Sequence, residues 1–403
     1  MCKSFISGMS KDTKSDCRVI FIPKDNGGTV IEVKSSVKTF FGNSIYELAK
    51  KTLIELDVDN CKLKIEDFGA LPYVLQARIE SSVKTAYPEL NKTSLPELKD
   101  YSHSIPDRNR FRITRLYIPG NQPKLMINAG LYKPDGVILD LEDSVAPDEK
   151  LSARLIVRNA LRTLKLYGAE KMVRINQGNL GLLDLEEIIP ENVNLILIPK
   201  VETAEQLKAL DNKIDEISRK YNRQEPLYLM PIIESARGIL NALAIAEASD
   251  KNVALAIGLE DYTADIGVQR TEKGIESLFA RSMVINAAKA AGIQAIDTVY
   301  SDVANDIGLL ESSIDSKQLG FDGKGCIHPW QIKIVKKGFA PSENEVEYAK
   351  KIIIAFEIAD SKGVGVVSLG TKMIDPPVVK RALYTLKQAL ELGLISTNWR
   401  DEI

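Results

Sequence analysis

The rhythm of apolar and polar positions changes along the chain. In the first stretch, CRVIFIPKD and GGTVIEVKS alternate with a period of two, which predicts two strands. The DNGG between them, with Asn26, Gly27 and Gly28, supplies the positive φ of a tight hairpin. FFGNSIYELAKKTLIEL and LPYVLQARIESSVKTAY carry apolar residues at helical spacing, with the strand-like CKLKIEDFG between them. The expectation is two helices on a small antiparallel sheet, an α+β module over residues 1–90. ELNKTSLPELKDYSHSIPDRNR then turns polar and irregular, which predicts a linker over 91–110.

From residue 111 the rhythm becomes regular. Apolar runs suited to buried strands, RLYIPG, GVILDLED, KMVRIN, LILIPK, LYLMPIIE, VALAIGLED, QAIDTVY and GCIHP, alternate with helical segments. Eight strands, each followed by a helix, predict an α/β fold, a closed (β/α)8 TIM barrel over 111–340.

Such a barrel builds its active site at the carboxyl ends of its strands. Those ends carry Asp140, Glu142 and Asp143, then Arg174 and Asn176, Lys200, Glu234, Glu260 and Asp261, Asp297, and His328. Seven of the eight strands therefore close on ionisable groups, which predicts a shared charged pocket. Glu234 and Asp261 end neighbouring strands and suit Mg²⁺ or Mn²⁺, which keep positions open for a chelating ligand. The competing reading has each carboxylate cap the helix that follows it. Arg174, emerging from an apolar strand, suits a substrate carboxylate or an enolate oxygen, and also an ion pair with Asp140, Glu142 or Asp143. Lys200 raises Schiff-base chemistry, with Glu202 near enough to keep it protonated. His328 fits either acid–base work or a structural corner with Pro329 and Trp330.

Composition narrows the field by exclusion. A net charge of −2 leaves no electrostatic footprint for nucleic acid or an anionic membrane. No apolar run approaches the roughly 18 residues that span a bilayer. The four cysteines form neither a disulfide framework nor a zinc pattern, so a reduced cytoplasm is the simplest setting. A nucleophile elbow, a phosphate loop and a dinucleotide fingerprint are all missing.

Taken in order, LYIPGN, VILDLEDSVAPDEK, VRIN, LIPKVET, PIIESARGILN, AIGLEDYTADIG, QAIDTVYSD, GFDGKGCIHPWQI and GTKMIDPP resemble the citrate lyase beta chain and its relatives in the HpcH/HpaI aldolase family. The resemblance covers about Arg112 to Leu394 and implies a barrel with a C-terminal helical extension, here 341–403, and Mg²⁺-dependent carbon–carbon cleavage. It also implies that Glu234 and Asp261 ligate the metal. Arg174 would hold the keto acid, Asp140 and Glu142 would line the pocket with Glu142 and Arg174 among the catalytic residues, and Asp140, Asn176 and Glu234 would contact the substrate. Asp375, from GTKMIDPP, would act in proton transfer from a neighbouring subunit, so a homo-oligomer, trimer or hexamer, is implied.

The first module resembles the citrate lyase acyl carrier, or gamma, chain from about Asp16 to Ala86. The resemblance implies a natural fusion of carrier and lyase, served by an alpha-type transferase subunit. It also implies a phosphoribosyl-dephospho-coenzyme A on a serine before the first strand. The stretch there, GMSKDTKSD, departs from the family's motif, and Ser15, directly before Asp16, is the best match, with Ser10 and Thr13 as others.

The function expected is cleavage of a citryl or citramalyl thioester to an acetyl thioester and oxaloacetate or pyruvate. Two alternatives stand beside it: a lyase of free coenzyme A thioesters such as malyl- or citramalyl-coenzyme A, and a non-catalytic carrier and scaffold.

Overall fold

The computed structural model describes residues 3–8, 14–361, 367–369 and 372–402. The N-terminal sheet comprises β1 (Phe5–Ser7), β2 (Cys17–Pro23), β3 (Thr29–Ser35) and β4 (Cys61–Asp67), with helices α1 (Lys38–Glu55) and α2 (Pro72–Ala86). Its strand order is β1-β2-β4-β3, so β2 and β3 are not neighbours. The expected hairpin is therefore corrected: β4 lies between them, antiparallel to β2 and parallel to β3. Gly27 and Gly28 do take positive φ, at 91° and 70°. Their loop instead arches over the start of β4, where the Gly28 amide and the Thr29 hydroxyl bond Asn60 Oδ1 and the Asp59 carbonyl. A turn signal fixes local φ but says nothing of which edge a third strand will fill.

The eight anticipated barrel strands all form: β5 (Thr114–Pro119), β6 (Gly136–Asp140), β7 (Glu170–Arg174), β8 (Leu195–Ile198), β9 (Tyr228–Ile233), β10 (Ala254–Ile257), β11 (Gln294–Asp297) and β12 (Gly323–Cys326). They close in the cyclic order β10-β11-β12-β5-β6-β7-β8-β9. Ile138, Met172, Leu195, Leu197, Met230 and Ile296 fill the interior, while a second layer packs the outer strand faces against the helices. At the base, the helix Pro376–Glu391 rests its Tyr384 against Phe111 and donates the Tyr384 hydroxyl to Asp322. The C-terminal helices thus sit at the end opposite the rim.

Helix α2 is buried on two sides. Leu75, Ile79 and Val83 enter the core of the first module, while Tyr73, Val74 and Ala77 pack on the barrel. Gln76, Arg78, Glu80, Ser81 and Ser82 are buried too, and Arg78 and Glu80 reach the barrel helix Lys150–Thr163. Arg78 grips Asp16 through Nε and Nη2 at 3.1 and 2.7 Å and donates from Nη1 to Ser152 at 2.7 Å. Glu80 accepts two bonds from Arg158, at 3.0 and 2.7 Å. The segment predicted as a linker is irregular in backbone but pinned: Ser94 is fully buried among Glu55, Gln76, Glu80 and Arg158.

Candidate active site

A cavity of about 360 Å³ opens at the carboxyl ends of the barrel strands. Asp140, Arg174, Glu234 and Asp261 line it, together with Arg115 and Tyr117. The register pairs Asp140 with Arg174 on neighbouring strands. Their side chains form a fork-to-fork pair, Nε to Oδ1 at 2.6 Å and Nη2 to Oδ2 at 2.7 Å. Burial raises the Asp140 carboxyl, but the Arg174 bonds outweigh it and leave the group below the usual range. The guanidinium keeps Nη1 for a further partner: Glu142 Oε2 lies 3.0 Å away, without hydrogen-bond alignment, and Asp143 Oδ2 lies 3.6 Å away.

Glu142, expected to line the pocket, is buried outside the set of lining residues and accepts a bond from Gln177 at 2.9 Å. Burial and then the repulsion of Asp143 raise its carboxyl, against the pull of Arg174. Lys200 stands at a positive φ of 52° with Nζ 3.3 Å from Asp261 and 3.9 Å from Glu142. Burial lowers this ammonium, yet Asp143, Glu142 and Asp261 together raise it above its ordinary value.

Glu234 is the outlier. It is 5 % exposed and its Oε2 has no hydrogen-bond partner. Burial, then Asp261 and Glu142, push its carboxyl up to about 8. The following helix, Ala236–Leu240, is capped by Ser235, whose hydroxyl accepts the Gly238 amide, so the capping reading fails for Glu234. Gly258 leaves the room: a Cβ there would lie 2.7 Å from Glu234 Cγ and 2.8 Å from Oε1.

This donor set fits a divalent cation. A buried carboxylate without a partner, beside a more exposed one, is the arrangement a bound cation relieves. Among the described residues no three His, Cys, Asp or Glu side chains group into a metal cage. Mg²⁺ takes one or two protein carboxylates and fills its shell with water and substrate oxygen, so Glu234 and Asp261 are the residues that would hold it.

Other expected residues stand elsewhere. Asn176 commits its backbone and side-chain amides to Asp184 Oδ2, each at 2.8 Å, and does not line the cavity. Such a short side chain follows its nearest buried acceptor, and here that acceptor lies on the helix side. Asp375 caps the helix Pro376–Glu391 by accepting the Val378 amide at 3.1 Å, outside the cavity of its own chain. Asp297 turns outward, bonded by Arg281 at 2.6 Å and Ser316 at 2.5 Å, and only edges the pocket. The His328 ring leans on Trp330 with 4.3 Å between ring centres and 48° between the planes. Ser15 holds φ 65° and donates its amide to Phe68. Its neighbour Asp16 meets Arg78, which also donates to the Asn121 carbonyl on the rim loop. Ser10 and Thr13 lie outside the described residues.

Sequence reading passed over Arg115 and Tyr117. The signal was present in RITRLYIPG, where the two stand two apart on a strand and so share the inward face.

Residues 114–329 match the HpcH/HpaI aldolase/citrate lyase family, and residues 10–86 match the acyl-carrier family described as malonate decarboxylase delta subunit (MdcD). The citrate lyase subunit beta of Haemophilus influenzae is 42 % identical over 283 residues, covering 70 % of this chain and 97 % of that protein. Human mitochondrial citramalyl-CoA lyase is 33 % identical, covering 78 % of this chain and 94 % of its own. The crystal structure of CitE from Mycobacterium tuberculosis with magnesium, acetoacetate and coenzyme A superposes with a TM-score of 0.58 at 31 % identity, covering 70 % of this chain and 99 % of that one.

Proposed function

The chain belongs to the HpcH/HpaI aldolase/citrate lyase family, and we propose that it is a Mg²⁺-dependent lyase cleaving a citryl or citramalyl thioester into an acetyl thioester and oxaloacetate or pyruvate. The observation that carries the reading is Glu234, buried, unpartnered and facing Asp261 beside the Arg174–Asp140 pair.

Glu234 and Asp261 would hold the ion, which when bound supplies Lewis acidity at the substrate's hydroxyl and carboxylate oxygens. Arg174, fixed by Asp140 through Nε and Nη2, orients the acid part through Nη1, which in this structure lies 3.0 Å from Glu142 Oε2 without hydrogen-bond alignment. Glu142 takes the hydroxyl proton, its carboxyl raised by burial and by Asp143. The carbon–carbon bond then breaks, its electron pair passing to the α-carbon of the thioester as the hydroxyl carbon becomes a ketone. Asp375 of a neighbouring subunit, or a water held by it, returns a proton to that carbon.

In this reading the first module is an acyl carrier whose prosthetic arm leaves Ser15, loaded by an alpha-type transferase. The oligomer supplies Asp375. Free coenzyme A thioesters are the second reading, favoured by the coenzyme A in the crystallised relative. Among the described residues no helix is long and apolar enough to cross a membrane, and Cys17, Cys61 and Cys326 are buried and unpaired. A cytoplasmic setting fits both facts.

The deciding experiment incubates the protein from its native source with Mg²⁺ and citryl-, citramalyl- or malyl-coenzyme A, with and without EDTA. EDTA-sensitive release of one keto acid is expected. No release from any of them, by protein whose intact mass shows a loaded carrier, would overturn the lyase reading.

A further inference from the structure

Arg115 is a cation without an anion. It is 1 % exposed, points into the barrel from β5 and lines the cavity. Nη1 meets only the Met230 thioether at 3.1 Å, Nη2 reaches the Asp297 carbonyl at 3.5 Å, and Nε has no partner. Among the described residues no carboxylate pairs with it, and burial pulls the guanidinium below its ordinary value. An uncompensated buried charge is costly, and a guanidinium fork is shaped for a planar anion.

The surrounding barrel makes room for it. Its register partners on both neighbouring strands are glycines, Gly136 on β6 and Gly325 on β12. A Cβ at Gly325 would lie 2.6 Å from Val299 Cγ1 and 3.3 Å from the Tyr117 ring, and one at Gly136 would run into Met172 Cε and lie 3.6 Å from Arg115 Cγ, so the strands beside Arg115 have no room for larger side chains. The charges elsewhere on the rim are already matched or await a cation: Arg174 is paired with Asp140, and Lys200 lies beside Asp261.

From this, and resting on the lyase reading above, we infer that Arg115 forms a carboxylate subsite on the cavity floor. It takes the second carboxylate of the substrate's acid part. A citryl thioester carries a carboxymethyl group where a citramalyl thioester carries a methyl. Arg115 therefore selects the dicarboxylic product oxaloacetate over pyruvate, and acts as a specificity residue without entering bond cleavage.

The test is calorimetric titration of the full-length Mg²⁺-loaded protein with freshly dissolved oxaloacetate and with pyruvate, for wild type, R115M and R115K. Wild type is expected to bind oxaloacetate roughly ten- to hundredfold more tightly than pyruvate. R115M should erase that preference with the pyruvate Kd unchanged, and R115K should fall between. Equal affinities in wild type, or an equal loss for both acids in R115M, overturn the subsite while leaving the lyase reading in place. Binding of neither acid by wild type overturns the reading and the subsite together. The pyruvate Kd reports folding of each variant, and if R115M does not fold, the wild-type ratio and R115K decide.

Discussion

Arg174 and Asp140 face each other across neighbouring strands and share two hydrogen bonds, at 2.6 and 2.7 Å, at the centre of the rim. Asp140 is 2 % exposed and accepts the Glu142 amide as well, so it is held from two directions. The pair fixes which edge of the guanidinium is presented to a ligand. Arg174→Lys keeps the charge and loses the fork. We expect turnover to fall at least about tenfold with the fold intact, checked by steady-state kinetics beside near-UV circular dichroism. Arg174→Ala leaves Asp140 buried and unpaired and should lower stability by about 3 kcal/mol, read from urea unfolding.

Glu234 links pH to metal. Its folded carboxyl sits at about 8 against an ordinary 4.5, so the folded chain binds the extra proton between those values. The stability this gives the metal-free protein is complete below the unfolded value and is lost as pH rises through about 8. Melting temperature without Mg²⁺ should therefore fall across this window, and added Mg²⁺ should restore it. Mg²⁺ binding near neutral pH should release close to one proton, measured by calorimetry in buffers of different ionisation heat. Glu234→Gln should lose both the slope and the proton release. A wild-type slope of opposite sign would contradict the assignment.

Arg78 joins the first module to the barrel. Its side chain is fully buried and bonds Asp16, Ser152 and the Asn121 carbonyl. Arg78→Met leaves Asp16 buried without its partner and should cost about 3–5 kcal/mol. The double variant with Asp16→Asn should recover part of this, and urea unfolding of the four-membered cycle measures the coupling.

Lys200 is held protonated by Asp261, Glu142 and Asp143, which raise it although burial opposes them. A protonated amine does not attack a ketone. Borohydride added during turnover should leave no pyruvyl or oxaloacetyl adduct on Lys200 by peptide mass, and a stoichiometric adduct would replace the metal mechanism with a Schiff base.

Asp375 lies outside its own chain's cavity. If a neighbouring subunit supplies it, Asp375→Asn and Glu234→Gln proteins, each inactive alone, should regain activity when mixed and allowed to exchange subunits. The expected recovery approaches about one quarter of the sites in a dimeric pairing, by random assortment of subunits. No recovery in exchanged oligomers, verified by native mass, would place proton transfer on another residue.

Much of this protein is local in origin and was legible along the chain. The eight barrel strands follow from apolar runs spaced by helical segments, and a closed parallel barrel forces their carboxyl ends onto one rim. That alone brought Asp140, Arg174, Glu234 and Asp261 to one cavity. What the chain could not disclose is which partner each charge would find. Helix α2 was legible as a helix, but the structure encloses it on both sides, and only there do Asp16 and Arg158 meet its Arg78 and Glu80. The β2–β3 hairpin was legible as a turn and illegible as a pairing, because β4 arrives later in the chain to part the two strands. Asn176 left the expected pocket for Asp184, and Glu234 was left without any partner. Periodicity sets which way a side chain faces, because backbone geometry repeats locally. Pairing of buried charges is settled only when distant segments exclude water together, and so it belongs to the tertiary structure.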